Sequence, residues 1–343
     1  MRAVLMERGK LWVEQMPTPE PGPGEVLVRT RACGICGSDL HAARHTEAFV
    51  KTSREAGGAF KLTTFDPVVM GHEFAAEVVD YGPDTQQRYP AGTLVTSVPM
   101  LLREPATPVG YTTEAPGGFG EYMVLSERLL LQVPGGLPAT HAAFTEPMAV
   151  GLHAVRKARL QGNEVTIVQG CGPVGLAVIT ALRAQGAGPI IAADFSAARR
   201  ALAETQGAHQ IVDPSVTDPF ALAAAQGRDN TTIFECVGVP GMLDAQFVGA
   251  PANAQIVVVG VCLQHDSLRP LIAINKELRL QFVLGYSLDE FRDTLHGIAD
   301  GTFQIEPLIT ETVALEGVAD AFDRLANPDA QGKVLVLPNG PSP

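Results

Sequence analysis

Along the first 148 residues the apolar positions fall in short runs, at 3–6, 11–13, 25–31, 74–81, 93–98, 121–125 and 129–133, each closed by Gly, Pro or a polar cluster. Runs of that length and spacing predict short strands wrapped into a compact, barrel-like β domain. The pattern changes near Gly151. From Glu164 onward, strand-length apolar runs at 165–169, 189–194, 209–212, 232–236, 255–261 and 278–284 alternate with helical stretches at 174–185, 197–206, 221–225 and 241–247. Apolar strands separated by helices predict a doubly wound parallel sheet of the Rossmann kind, so the fold class is α/β. Helical periodicity returns at 288–299 and 317–325, and a last strand is expected at 334–337. The expected division is a β-rich N-terminal part, 1–148, a doubly wound domain, 149–284, and a C-terminal segment, 285–343, that returns to the first part.

Composition narrows the function classes. The chain has 343 residues, enough for two ordinary domains, and its 35 Gly and 26 Pro are dispersed as turns rather than gathered in a linker. Lys and Arg number 25 against 37 Asp and Glu, a formal charge of −12 that repels phosphate backbones and anionic lipid, so no nucleic-acid or membrane partner is expected. No apolar run approaches the roughly 18 residues of a membrane span. The start, Met1 to Arg8, has no signal-peptide core, and five cysteines in an odd set argue for a reducing compartment; a cytoplasmic protein is expected.

Two stretches carry chemistry. Gly170-Cys171-Gly172-Pro173-Val174-Gly175 is G-x-G-x-x-G directly after an apolar strand and at the head of a helix. In that context Gly170 permits the tight turn, Gly172 lets the backbone approach a pyrophosphate, and Gly175 lets helix and strand pack closely. Asp194 lies nineteen positions after Gly175, near the offset of the carboxylate that binds adenosine ribose, which favours NAD over NADP. Arg199 and Arg200 follow closely enough to soften that preference, and Asp194 could equally cap the next helix. The second stretch is discontinuous: Cys36-Gly37-Ser38-Asp39-Leu40-His41, then Gly71-His72-Glu73, then Glu146-Pro147-Met148-Ala149-Val150-Gly151. Thiolate, imidazole and carboxylate together suit a catalytic zinc site. Singly, Cys36 also reads as a small core residue, His72 as a core histidine, and Glu146 as a helix cap or surface acid.

The combination resembles the zinc-containing medium-chain alcohol dehydrogenases over nearly the whole chain. The matching text is Gly-Ile-Cys-Gly-Ser-Asp-Leu-His at 34–41, Gly-His-Glu at 71–73, Gly-Gly-Phe-Gly-Glu-Tyr at 117–122, Glu-Pro-Met-Ala-Val-Gly-Leu-His-Ala at 146–154, the glycine fingerprint, Phe-Glu-Cys-Val-Gly at 234–238 and Glu-Pro-Leu-Ile-Thr at 306–310. Glu146 stands where other branches carry a ligand cysteine, as in the polyol, threonine and glucose dehydrogenases. The resemblance implies a GroES-like catalytic domain joined to the Rossmann domain, one catalytic zinc on Cys36 and His72, and Glu73 and Glu146 as carboxylates that bind directly, through water or in exchange. It further implies that Asp39 orients the His72 ring and that Ser38 and His41 relay the substrate proton through the cofactor ribose to solvent. Lys333 falls where relatives direct a base at the pyrophosphate, and Val150 is expected against the nicotinamide. The implied reaction moves hydride between a primary or secondary alcohol and NAD, in a homodimer or homotetramer paired through strands 255–261 and 278–284. A zinc-free quinone or enone reductase, or a catalytically silent dinucleotide-binding relative, are the alternatives.

The chain also departs from that family. Many relatives hold a structural zinc on four cysteines in a lobe after Gly-His-Glu, and 99–114 contains no cysteine, so packing must hold this lobe. Cys33 and Cys36 could be read as a redox pair, although the surrounding motif favours the dehydrogenase reading. The stretch between Cys36 and His72 is long and carries Phe49, Phe60 and Phe65 with Lys51, Arg54 and Lys61. An insert there is expected to border the pocket mouth.

Overall fold

The computed structural model describes residues 1–57, 62–228, 230–325, 327 and 332–340. Phe60 and Lys61 of the insert lie outside the described residues. The chain divides into two compact units, Met1–Glu146 with Ile309–Pro343, and Pro147–Leu308.

In the first unit the strand Glu25–Gly34 organises the site. Its alternation places Val26, Val28, Thr30 and Ala32 inward, and it pairs with Glu73–Tyr81 on one side and Lys333–Val336 on the other. Among the described residues these belong to a seven-stranded sheet, while Arg2–Glu7 pairs with Lys10–Gln15 and Val68–Val69 in a smaller one. The register sets Gly34 opposite Glu73, and the backbone N–H of Ile35 donates to Val334. Residues distant in sequence, Cys36, Glu73 and Lys333, are thereby delivered to one end of neighbouring strands. Helices were not expected in this β-rich part, yet it holds Gly37–Arg44, Thr46–Glu55 and the short Ala139–Ala142. The first is started by Asp39, whose carboxylate accepts the Cys36 backbone N–H at 2.9 Å, half of a capping box. The cysteine-free lobe is a short pairing of Met100–Leu101 with Thr107–Pro108. Buried Leu101 and Val109 fix it, and so does an ion pair from Arg103 to the buried Glu25 at 2.7 Å.

The second unit contains a parallel sheet in the order Gln210–Val212, Ile190–Ala193, Glu164–Gln169, Asn230–Glu235, Gln255–Val258, Arg279–Phe282. Numbered along the chain this is 3-2-1-4-5-6, the dinucleotide-fold order. Every residue of Glu164–Gln169 is buried, as a strand covered on both faces must be. Residues 285–308 belong here, which corrects the expected return to the first part at 285. The reason is the helix Leu288–Ala299, whose Phe291, Leu295 and Ile298 are buried at helical spacing; burying one such side chain stabilises by roughly 1.5–3 kcal/mol. His153 and Arg156 hold the same helix through Glu290 at 2.8 Å and Asp293 at 2.7 Å. Gln255–Val258 is flanked on both sides, so among the described strands only Arg279–Phe282 of the two strands expected at the oligomer contact lies at the sheet edge. Among the described residues no helix is long and apolar enough to cross a membrane.

Candidate active site

Cys36, His72 and Glu73 converge. One ligand atom from each lies within 4.8 Å of the others, a mixed thiol, imidazole and carboxylate set. Cys36 ends the turn that Asp39 locks, and Asp39, fully buried, also sets Oδ1 3.3 Å from His72 Nδ1. That approach lacks good hydrogen-bond geometry, so Nδ1 is a buried polar atom facing a carboxylate with no formal hydrogen bond. Burial alone would lower the His72 pKa, but Asp39 and the Cys36 thiolate outweigh it and hold the imidazole well above its ordinary value. Burial and then Glu73 push the Cys36 thiol up, while His72 and Lys333 pull it back. These are soft and borderline donors that must shed protons to bind a cation, and the donor set fits zinc.

Lys333, expected from the sequence near a pyrophosphate, has its ammonium engaged within the first unit. It is buried, donating to both carboxylate oxygens of Glu73 at 2.8 and 2.7 Å and to the Ile35 carbonyl at 3.1 Å. Burial would lower its pKa, but Glu73 and Cys36 raise it, so the ammonium is retained. Gly34 makes the pairing possible, because a Cβ there would overlap Glu73 Oε2. Glu146, in the first turn of the helix Thr145–Ala158, is outside the three-residue group. Its charge still reaches Tyr111 and Lys333.

Ser38 and His41 lie one turn apart on Gly37–Arg44. Burial, then His45 and Arg44, lower the His41 pKa and keep the ring neutral near pH 7. Sequence reading missed Tyr111, a buried side chain whose hydroxyl reaches Ser38 Oγ at 2.8 Å and Asp39 Oδ1 at 3.3 Å. Its ring lies 5.2 Å from His72 and stacks on Phe49 at 5.9 Å. The insert therefore reaches the site through Phe49, whereas Phe65 is exposed and sits under the Arg8 guanidinium. The signal available for Tyr111 was an aromatic directly after Gly110 in the cysteine-free lobe.

In the second unit the strand Glu164–Gln169 ends at Gly170, with φ of +87°, and Gly172 caps the helix Pro173–Ala184, with Pro173 in its first turn and Val174 behind it. A Cβ at Gly175 would overlap the Gly170 carbonyl, whereas one at Gly172 meets nothing within 4 Å. The open space lies before the helix N-terminus, where a phosphate would be cradled. Asp194 is buried; its Oδ2 accepts Cys171 N–H at 2.7 Å and its Oδ1 accepts Ser196 N–H at 2.8 Å. The cap of the helix Ala197–Thr205 is Ser196, not Asp194. Arg199 stands 4.0 Å from Asp194, and Arg200 is tied to backbone carbonyls and Asp213. Val150 is half-buried on Thr145–Ala158.

Comparison with known proteins identifies the family. The family described as alcohol dehydrogenase GroES-like domain matches residues 22–135, and that described as zinc-binding dehydrogenase matches 173–300. The chain is 34% identical over 341 residues to (R,R)-butanediol dehydrogenase of Bacillus subtilis (strain 168), covering 95% of this chain and 96% of that protein. It is 27% identical to sorbitol dehydrogenase of Bos taurus, over 92% of this chain and 90% of the relative. The crystal structure of 2R,3R-butanediol dehydrogenase from Bacillus subtilis superposes with a TM-score of 0.84 at 32% identity, covering 98% and 99% of the two chains.

Proposed function

The chain belongs to the zinc-type medium-chain alcohol dehydrogenase family, and we propose that it is an NAD-linked, zinc-dependent dehydrogenase interconverting a small secondary alcohol or polyol with its ketone. The observation that carries this reading is the convergence of Cys36, His72 and Glu73. The substrate class rests on the relatives named for butanediol and sorbitol. Residues 1–146 with 309–343 would be the catalytic domain and 147–308 the nucleotide-binding domain.

Cys36 and His72 would hold the metal, with Glu73 or Glu146 completing the set. Zinc would supply Lewis acidity that eases loss of the substrate hydroxyl proton, and NAD would accept the hydride. The protein's own part is orientation and proton handling. Asp39 fixes the His72 ring. Lys333 neutralises Glu73, so that the buried cluster does not carry two uncompensated negative charges when Cys36 ionises. Ser38 takes the substrate proton, and the neutral His41 receives it toward solvent. Gly170, Gly172, Pro173, Val174 and Gly175 would cradle the pyrophosphate, Asp194 the ribose hydroxyls with Arg199 beside it, and Val150 the nicotinamide. The Asp194 carboxylate would repel a 2′-phosphate, which supports NAD.

The exposed edge of Arg279–Phe282, with Phe282 62% and the following Leu284 86% exposed, supports assembly as a dimer or tetramer. A monomer in light scattering would refute that. Five unpaired cysteines support a cytoplasmic setting. The activity is tested by mixing the zinc-loaded protein with NAD or NADP and aliphatic alcohols, aryl alcohols, vicinal diols and sugars. Growth of reduced nicotinamide absorbance with diols and NAD is expected. No reduction with any alcohol, alongside an NAD-induced rise in Tm, would favour a silent binding protein, and full activity in chelator would remove zinc from the reading.

A further inference from the structure

Tyr111 is a buried partner of Ser38 that no motif announces. Its side chain is 3% exposed and is held between two rings, Phe49 stacked at 5.9 Å and His72 at 5.2 Å. The turn carrying it is pinned by Gly110 N–H donating to Ala115 at 2.9 Å. With the ring so confined, the hydroxyl reaches Ser38 Oγ at 2.8 Å and Asp39 Oδ1 at the longer 3.3 Å.

A phenol has one hydrogen to give, and so has a serine. Were Ser38 to donate to Tyr111, its hydrogen would point into the buried cluster and could not be passed on. Asp39 Oδ1, at 3.3 Å, is the more distant of the two acceptors, and Asp39 Oδ2 already takes the Cys36 N–H at 2.9 Å. The short contact therefore runs from Tyr111 to Ser38, filling one Oγ lone pair. The second lone pair stays available for an incoming proton, and the serine hydrogen is left free to depart.

We propose that Tyr111 is a positioning residue for the proton relay, holding Ser38 in the rotamer and hydrogen-bond polarity from which it accepts the substrate proton while releasing its own toward His41. The inference rests on the relay reading of Ser38 given above. The proton balance closes: the substrate O–H bond breaks, a new Oγ–H bond forms, the former serine hydrogen leaves, and Tyr111 keeps its proton throughout. The insert enters the chemistry here, because Phe49 fixes the ring that fixes the hydroxyl.

The test uses the zinc-loaded enzyme with NAD and 2,3-butanediol. Tyr111→Phe keeps the stacked ring and removes only the donor. The expected result is a kcat lower by about five- to tenfold, as loss of one neutral hydrogen bond implies, with KM within about twofold of wild type and a larger solvent deuterium isotope effect on kcat. Zinc content and Tm should be unchanged. Phe49→Leu, which loosens the ring without touching the hydroxyl, should move kcat and the isotope effect the same way by less. Unchanged kcat and isotope effect in Tyr111→Phe, with Ser38→Ala strongly impaired, would overturn the role of Tyr111 and leave the relay standing. Ser38→Ala as fast as wild type would remove the relay and this proposal with it. Loss of zinc or of Tm in Tyr111→Phe would make the hydroxyl a structural group and overturn the proposal.

Discussion

In the loop from Gln169 to Gly175 the glycines that shape the turn lie within a few residues of one another, and Asp194, just past the end of the adjacent strand, accepts the Cys171 N–H. The cluster around Cys36 draws on residues 36–39, 72–73, 111 and 333, which meet only because Glu25–Gly34 pairs with Glu73–Tyr81 and Lys333–Val336. One site is a backbone conformation that glycines permit, and the other is a balance of buried charges that a sheet register assembles. A substitution in the first should spoil one ligand's cradle, whereas a substitution in the second should propagate through its charged neighbours.

The sharpest way to separate the two is Cys36→Ser. Activity should fall on the order of 10³-fold, since several kcal/mol of Lewis-acid assistance is lost. Elemental analysis should find zinc depleted, while NAD still raises Tm. If zinc is retained at full activity, Cys36 is not a ligand. Next in size is Lys333→Met, which leaves Glu73 buried without its counter-ion and should cost about 3–5 kcal/mol in denaturant unfolding. The double variant with Glu73→Gln should recover most of that loss; a single variant as stable as wild type would break the charge-balance side of the comparison. Asp39→Asn keeps the shape but removes the charge facing His72, and zinc affinity measured by chelator competition should weaken by about 10–100-fold.

Gly175→Ala forces a Cβ onto the Gly170 carbonyl and should destabilise by about 1–3 kcal/mol with loss of the NAD-induced Tm shift, zinc content staying normal. Zinc loss in this variant would show that the two sites are not independent. The smallest effect expected is on pH. His41 must be neutral to take a proton, and burial, His45 and Arg44 hold its pKa below the ordinary 6.5. The acid limb of kcat/KM for alcohol oxidation should therefore lie below that value, and His45→Gln, which removes a positive neighbour, should move it to higher pH. A limb that does not move would exclude His41 as the titrating group.

The two regions also differ in how far they could be read in advance. The glycine turn at Gly170 to Gly175, and Asp194 beside it, were legible because they are set by local conformation and a fixed offset along the chain. Cys36, His72 and Glu73 were legible as residue types, and the family resemblance joined them. What Lys333 and Tyr111 do was not, because a lysine near the C-terminus and a tyrosine in a lobe carry no local mark of their partners. The helices Gly37–Arg44 and Thr46–Glu55 escaped for a related reason, since the cap that starts the first is the same Asp39 that serves His72. The misplaced return at 285 reflects an amphipathic helix whose apolar face does not say which core it covers.

By itself the sequence determined the alternation of strand and helix, the glycine turn that admits a dinucleotide, and the donor types of a zinc site. Each depends on short-range sterics or on the intrinsic chemistry of a side chain. Only the tertiary structure decided that Lys333 neutralises Glu73, that Tyr111 donates to Ser38, and that Leu288–Ala299 stays with the second unit. Those outcomes depend on strand register and on which buried charges and apolar faces find compensation, and such terms exist only once distant segments are packed together.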